Sequence, residues 1–184
     1  MSYVKHLRTG LKWLYNIKLP DDVESLSIEE NWFKDKYQKA HEFAMEELEK
    51  ECAQACEGLY HNLNTLESRQ GSQVPFTSIN LGRDTSPEGR LVTKSIFNAS
   101  LNGIGKFHKT SIFPISIFQH KRGCNADPGD PNYDLKQLAL KSLSKRIYPN
   151  FVNCDWAEAH EIKGDPDTYF ATMGKCKCSS SKIF

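Results

Sequence analysis

Between Val74 and Met173 the chain alternates between two backbone periodicities, and no other feature restricts its fold as strongly. "VPFTSINL" (74–81) is a short β-rich run with Pro75 near its start, where a strand tolerates a missing N–H. "GRDTSPEGR" (82–90) then opens a helix, with Ser86 as N-cap, Pro87 at the first helical position and Glu88 in the first turn. That pattern continues through Leu91, Ile96 and Leu101 and stops at Gly103. "TSIFPISIF" (110–118) reads as the next strand and "NADPGDPNYD" (125–134) as a turn-rich loop. "YDLKQLALKSLSKRIYP" (133–149) is an amphipathic helix closed by Pro149, and "FVNCDW" (151–156) and "TYFATM" (168–173) are two further strands. Strands separated by helical crossovers pair in parallel, and strands covered on both faces read as near-continuous apolar runs. The expected fold class is therefore α/β, either a parallel sheet or part of an α/β barrel.

The residues before this unit read as helix. From Tyr37 onward Phe43, Leu48, Cys52, Ala55, Leu59, Leu63 and Leu66 recur at the spacing of one helix face, with "EELEKE" as the solvated side. "LPDDVESLSIEENWFKDKY" (19–37) offers Pro20 and two acidic residues as a helix start, which predicts a shorter helix ahead of the long one.

Lys plus Arg number 24 and Asp plus Glu 23, a balance that gives no total charge for nucleic acid or an anionic membrane, so neither is expected as a partner. The first twenty residues are broken by Lys and Arg and lack a secretory signal's apolar core, and no apolar run approaches the ~18 residues of a membrane span. The expected location is the cytoplasm. In that setting the six cysteines are expected to be reduced, with Cys52, Cys56 and Cys154 acting as small buried apolar groups.

In a parallel α/β array, functional groups gather at the carboxyl ends of the strands. The loops there are "GRDTSPEGR", "QHKRGCNADPGDPNYD" and "GKCKC". Asp127, Asp130 and Asp134 are spaced for a turn and helix cap rather than a calcium loop, because Pro128 and Pro131 break the spacing calcium needs. "NGIGKFHK" follows a helix and lacks a phosphate-loop arrangement, so it reads as a helix stop and turn. The six histidines form no Ser-His-Asp order and no H-E-x-x-H pattern. Cys176 and Cys178 have no second knuckle to complete a zinc site and lack C-x-x-C redox spacing.

Three longer stretches are more specific. "HNLNTLESRQGSQVPFTSINLGRDTSPEGR", "GDPNYDLKQLALKSLSKRIYPNF" and "GDPDTYFATMG" closely resemble, in order, the anaerobic (class III) ribonucleoside-triphosphate reductases, from about His61 to Gly174. The resemblance implies a glycyl-radical enzyme built on a ten-stranded α/β barrel of two parallel half-sheets. In such enzymes a glycyl radical generates a thiyl radical on a cysteine inside the barrel. The thiyl takes the ribose 3′-hydrogen, the 2′-hydroxyl leaves as water, and formate or a redoxin supplies the electrons. A ribose carbon–hydrogen bond is too strong for acid–base chemistry, so the fold must shield a radical from water and oxygen.

By this resemblance residues 1–70 are a helical segment from the dimer and effector region, 71–174 a partial barrel, and 175–184 a tail unlike the family. The family places its radical cysteine directly after a Met-Gly pair. Here Met173-Gly174 is followed by Lys175, so Cys176 is a candidate one residue out of register. If "PFTSIN" is a barrel strand, alternate side chains point inward, either Thr77 and Ile79 or Ser78 and Asn80, so Thr77, Ser78 and Asn80 become candidate contacts for ribose or phosphate. Ordinary strand hydrogen bonding explains them as well, and polar caps or a helix-exit ion pair explain Asn62, Asn64 and Arg69. The radical glycine and a four-cysteine structural zinc site are expected outside this chain, whose reading frame is expected to be interrupted after Gly174. The resemblance further implies nucleoside-triphosphate substrates, ATP and deoxynucleotide effectors, a homodimer and a radical-SAM activating enzyme. An internal piece of this kind is expected to be inactive alone. The alternative is a nucleotide-binding or subunit-interaction module without catalysis.

Overall fold

The computed structural model describes residues 2–21, 23–28, 32–66 and 74–155. Three helices come first: α1 (Ser2–Tyr15), α2 (Trp32–Lys36) and α3 (Gln38–Thr65). The sheet unit follows as β1 (Ser78–Leu81), α4 (Pro87–Asn102), β2 (Ile115–His120), α5 (Tyr133–Lys145) and β3 (Asn150–Asn153). The strands lie in chain order β1-β2-β3 and both pairings are parallel, with Ser78 opposite Ile115 and Ile117 opposite Asn150.

α4 starts and stops where its sequence signals lie. Ser86 Oγ accepts from Gly89 N at 3.1 Å, Pro87 follows, and Gly103 forms the C-cap with its N–H on the Ala99 carbonyl. The strands are shorter than their apolar runs. β1 begins at Ser78, so Pro75 lies ahead of it, and β2 begins at Ile115, after Pro114. Proline cannot donate to a ladder, so pairing starts beyond it. The expected strand at 168–173 lies outside the described residues.

Both crossover helices pack on one face of the sheet. Ile79 and Leu81 meet Cys56, Tyr60, Ile96 and Ala99, while Phe118 is buried with Phe97, Leu135 and Ala139. Phe97 and Phe118 are fully buried with ring centroids 6.1 Å apart, and each contributes about 2–3 kcal/mol by area. Side chains alternate along a strand, so Ser78 and Asn80 lie on the opposite face from Ile79 and Leu81.

The amino-terminal region corrects two expectations. The short helix expected within 19–37 is only the five-residue α2, and most of what precedes it runs as irregular chain. The larger element is α1, whose Tyr3, Val4, Leu7 and Leu11 are buried against Ala40 and Ala44 of α3. The buried stripe of α3 is Ala40, Ala44, Cys56 and Tyr60, with Met45, Leu48 and Cys52 partly covered. Leu59 and Leu66, expected on that stripe, are 39% and 59% exposed. At the α1 end the contact is set by the close approach of Gly10, where a Cβ would lie 3.1 Å from the Phe43 ring and 3.2 Å from the Ala40 carbonyl oxygen. Small residues spaced by four positions therefore define the contact.

Candidate functional site

The loops after β1 and β2 form one rim, and two buried asparagines hold it. Asn125 and Asn132 are both completely buried. Asn125 Nδ2 donates to the carbonyls of Gly82 (2.8 Å) and Gln119 (2.9 Å), and its Oδ1 accepts from Lys121 N at 3.0 Å. Asn132 Nδ2 donates to Gly82 O (3.1 Å) and Asp84 O (2.8 Å). The loop after β2 is thereby fixed to the turn after β1. Gly82 is required there: its φ is +107° and a Cβ would come 2.8 Å from the Phe118 ring.

Arg90 on α4 closes the other side. Its guanidinium donates to Asn132 Oδ1 (2.6 Å), to Asp134 Oδ2 (2.8 Å) and to the Pro131 carbonyl. Asp130 Oδ2 accepts from Asp127 N at 2.9 Å and sets the turn, while Asp134 is turned to Arg90. The α5 N-cap is Asn132, whose side chain is used in the clamp rather than as a cap. Cys124 Sγ lies 3.4 Å from the Arg83 carbonyl, and burial pushes its thiol pKa up. Cys154, fully buried, follows β3, and its N–H donates to His120 O at 2.8 Å.

Thr77 Oγ1 donates to Pro75 O at 3.3 Å, and its carbonyl accepts from Ile115 N at 2.9 Å. Ser78 and Asn80 share the strand face away from the helices. Asn80 Oδ1 accepts from Gln119 Nε2 at 3.4 Å, placing two amides side by side on that face. Thr77 alternates with them and is on the Ile79 side. Cys176 and Cys178 lie outside the described residues. Asn64 is a clamp of its own. Its Oδ1 accepts from Ile112 N (2.8 Å) and Phe113 N (3.1 Å), while Nδ2 donates to Tyr60 O (2.7 Å) and Phe113 O (2.5 Å). Asn125 and Asn132 were not singled out from sequence, since an Asn in a turn-rich loop looks like any other turn residue.

A separate cleft of about 330 Å³ lies where α3 meets the starts of α4 and α5. Lys34, His41, Arg90 and Lys94 line it, with Asp134 as the acidic member. His41 has a lowered pKa, first from burial and then from Lys34, so it is neutral at pH 7. Its Nδ1 is 2.8 Å from Tyr3 Oη. Among the described residues no three His, Cys, Asp or Glu converge to hold a metal. No helix among them is long and apolar enough to cross a membrane.

Residues 25–181 match the family model for anaerobic ribonucleoside-triphosphate reductase. The chain belongs to that family. It is 40% identical over 155 residues to the anaerobic ribonucleoside-triphosphate reductase of Haemophilus influenzae, covering 84% of this chain and 19% of that protein. The Escherichia coli K12 enzyme is 38% identical over 154 residues, and that of Enterobacteria phage T4 36% identical over 152. The chain thus spans about a fifth of the length of these relatives, 18–21% in each case. Membership rests on a stretch that takes in both α3 and the whole asparagine-clamped rim.

Proposed function

We propose that this chain is a piece of an anaerobic ribonucleoside-triphosphate reductase and forms an arc of its catalytic barrel. The complete protein reduces ribonucleoside triphosphates to 2′-deoxyribonucleoside triphosphates for DNA synthesis. The observation that carries the reading is 36–40% identity to such reductases over 83–84% of the chain. The sheet agrees with it: strands in chain order with both crossover helices on one face are what a barrel wall requires, an arrangement that one half of a doubly wound sheet shares. In this reading Ser78, Asn80 and Gln119 face the cavity and offer a hydroxyl and two amides to a polyol or phosphate. The clamped rim keeps them in register. Cys176 stands in for the radical cysteine, and the glycyl radical, when present in the whole enzyme, supplies the hydrogen-abstracting power that no side chain here has.

The test is complementation under strict anaerobiosis. The chain is mixed with a polypeptide supplying the remaining four-fifths of a relative, the radical-SAM activating enzyme, formate and a ribonucleoside triphosphate. The chain alone gives no deoxynucleotide; the mixture gives product that Cys176→Ser abolishes. Turnover that survives Cys176→Ser removes that residue from its role, and no turnover in any mixture removes the catalytic reading.

A second reading, a nucleotide-binding or subunit-interaction module without catalysis, draws on the cleft lined by Lys34, Arg90 and Lys94. Calorimetric titration with ATP and dATP separates the two: binding lost in Lys94→Glu, without turnover in the mixture, favours the module.

A further inference from the structure

The even charge total conceals a strong segregation. Residues 21–57 carry 12 Asp or Glu and four Lys, whereas no Asp or Glu occurs between Glu88 and Asp127 or between Asp134 and Asp155. α4 and α5 both run back toward the amino ends of the strands, so this acid-free sequence is brought together there. A tight hairpin, closed by the Ile104–Lys109 bridge, carries Phe107 at 79% exposure between Lys106 and Lys109. The end of α5 lies against it, because Arg146 donates to the carbonyls of His108 (3.0 Å) and Leu101 (2.5 Å) and to Thr110 Oγ1 (3.2 Å). Leu140 and Leu143 on α5 and Ile147 just beyond its end are exposed, at 41%, 41% and 59%, with exposed Lys141 and Lys145 beside them. None of Lys106, Lys109, Lys141 and Lys145 is held in an ion pair among the described residues. Beside the hairpin a cleft of about 730 Å³ opens toward α3, where Glu57 lines its wall with His61 and His108.

We propose that this basic, apolar end of the sheet is a docking surface for an acidic polypeptide segment that presents aliphatic or aromatic anchors. Two features select protein over nucleic acid. Single-stranded nucleic acid is held by successive aromatic platforms and guanidinium planes, but Phe107 is a single aromatic beside aliphatic Leu140, Leu143 and Ile147, and the Arg146 guanidinium is engaged by the carbonyls of His108 and Leu101 and by Thr110 Oγ1. Exposed Leu and Ile flanked by exposed lysines instead match an interface with an apolar centre and a charged rim. The surface lies at the opposite end of the strands from the asparagine-clamped rim, so an occupant there leaves that rim open. This inference does not depend on the reductase reading, since it is tested by binding alone.

The test uses the full chain and a fluorescein-labelled synthetic peptide in which glutamates alternate with leucine and phenylalanine pairs, read by anisotropy. Binding is expected to weaken as salt rises, to fall at least tenfold in Lys141→Glu/Lys145→Glu and severalfold in Phe107→Ser. It stays unchanged in Lys12→Glu/Lys39→Glu, the same charge reversal placed on the helical arm. Circular dichroism of each variant shows whether the fold is retained. An unaltered affinity in the Lys141/Lys145 reversal overturns the proposal. So does tighter binding of oligothymidylate or of phosphatidylserine vesicles than of the peptide, or self-association of the chain through this face.

Discussion

The helical arm (α1–α3) and the sheet unit (β1 to β3) are stabilised by different means. α1 and α3 meet along small and aliphatic residues, Leu7 and Leu11 against Ala40 and Ala44, and their polar links are few: a part-buried bond between Tyr3 and His41 and an exposed one between His6 and Glu51. The sheet unit joins an aromatic core to buried amides that bond backbone carbonyls up to 50 residues away. Helices satisfy their own backbone groups, whereas loops at strand ends leave carbonyls that a side chain must reach. The arm is therefore sensitive to side-chain volume along its contact, and the sheet unit also to loss of a single buried amide.

That contrast is most exposed in the core. Phe97→Ala removes a fully buried ring and is expected to destabilise by about 3–5 kcal/mol, read as a lower urea midpoint. An unchanged midpoint would show that the sheet unit does not depend on its aromatic pair. Asn132→Leu leaves the Asp84 carbonyl and one Arg90 contact without a partner, with an expected cost of about 2–3 kcal/mol. Native-state hydrogen exchange should then rise in residues 121–132 while α1 stays protected; equal loss in both regions would erase the distinction.

A chemical probe ranks next. The Cys56 thiol is pushed up to about 12, first by burial and then by Cys52, so it remains protonated in the fold when an unfolded thiol, at about 8.5, has ionised. Above pH 8.5 the unfolded state holds fewer protons than the native one, so stability falls as pH rises from there toward 12. At pH 8.5 iodoacetamide should label Cys56 only after unfolding; rapid labelling in the native state would place that thiol in solvent. The smallest effect belongs to the arm. His6→Ala removes an exposed link to Glu51, whose carboxyl is held low chiefly by that hydrogen bond. Exposed pairs of this kind are weakened by solvent and salt, so the thermal midpoint should barely move.

What could be read beforehand follows the same division. The limits of α4 were legible because Ser86, Pro87 and Gly103 act within one turn of their own positions. α1 was hidden by basic residues that draw attention to targeting, although Tyr3, Val4, Leu7 and Leu11 carry the helical spacing. The buried stripe of α3 was not legible, since large apolar residues dominate a periodicity whereas the contact is made by Ala40 and Ala44. The Asn125–Asn132 clamp was hidden for a stronger reason. Its partner, the carbonyl of Gly82, is a backbone atom that every residue possesses, so no residue type marks it.

Asn64 gives α3 a mechanical role. The helix runs 28 residues, about 42 Å, from its packing against α1 to the four bonds with which Asn64 grips Tyr60 and the residues leading into β2. It is a stiff rod pinned at both ends. A push delivered at the α1 end must either bend the rod or shift Ile112 and Phe113, and with them the first rung of the central strand.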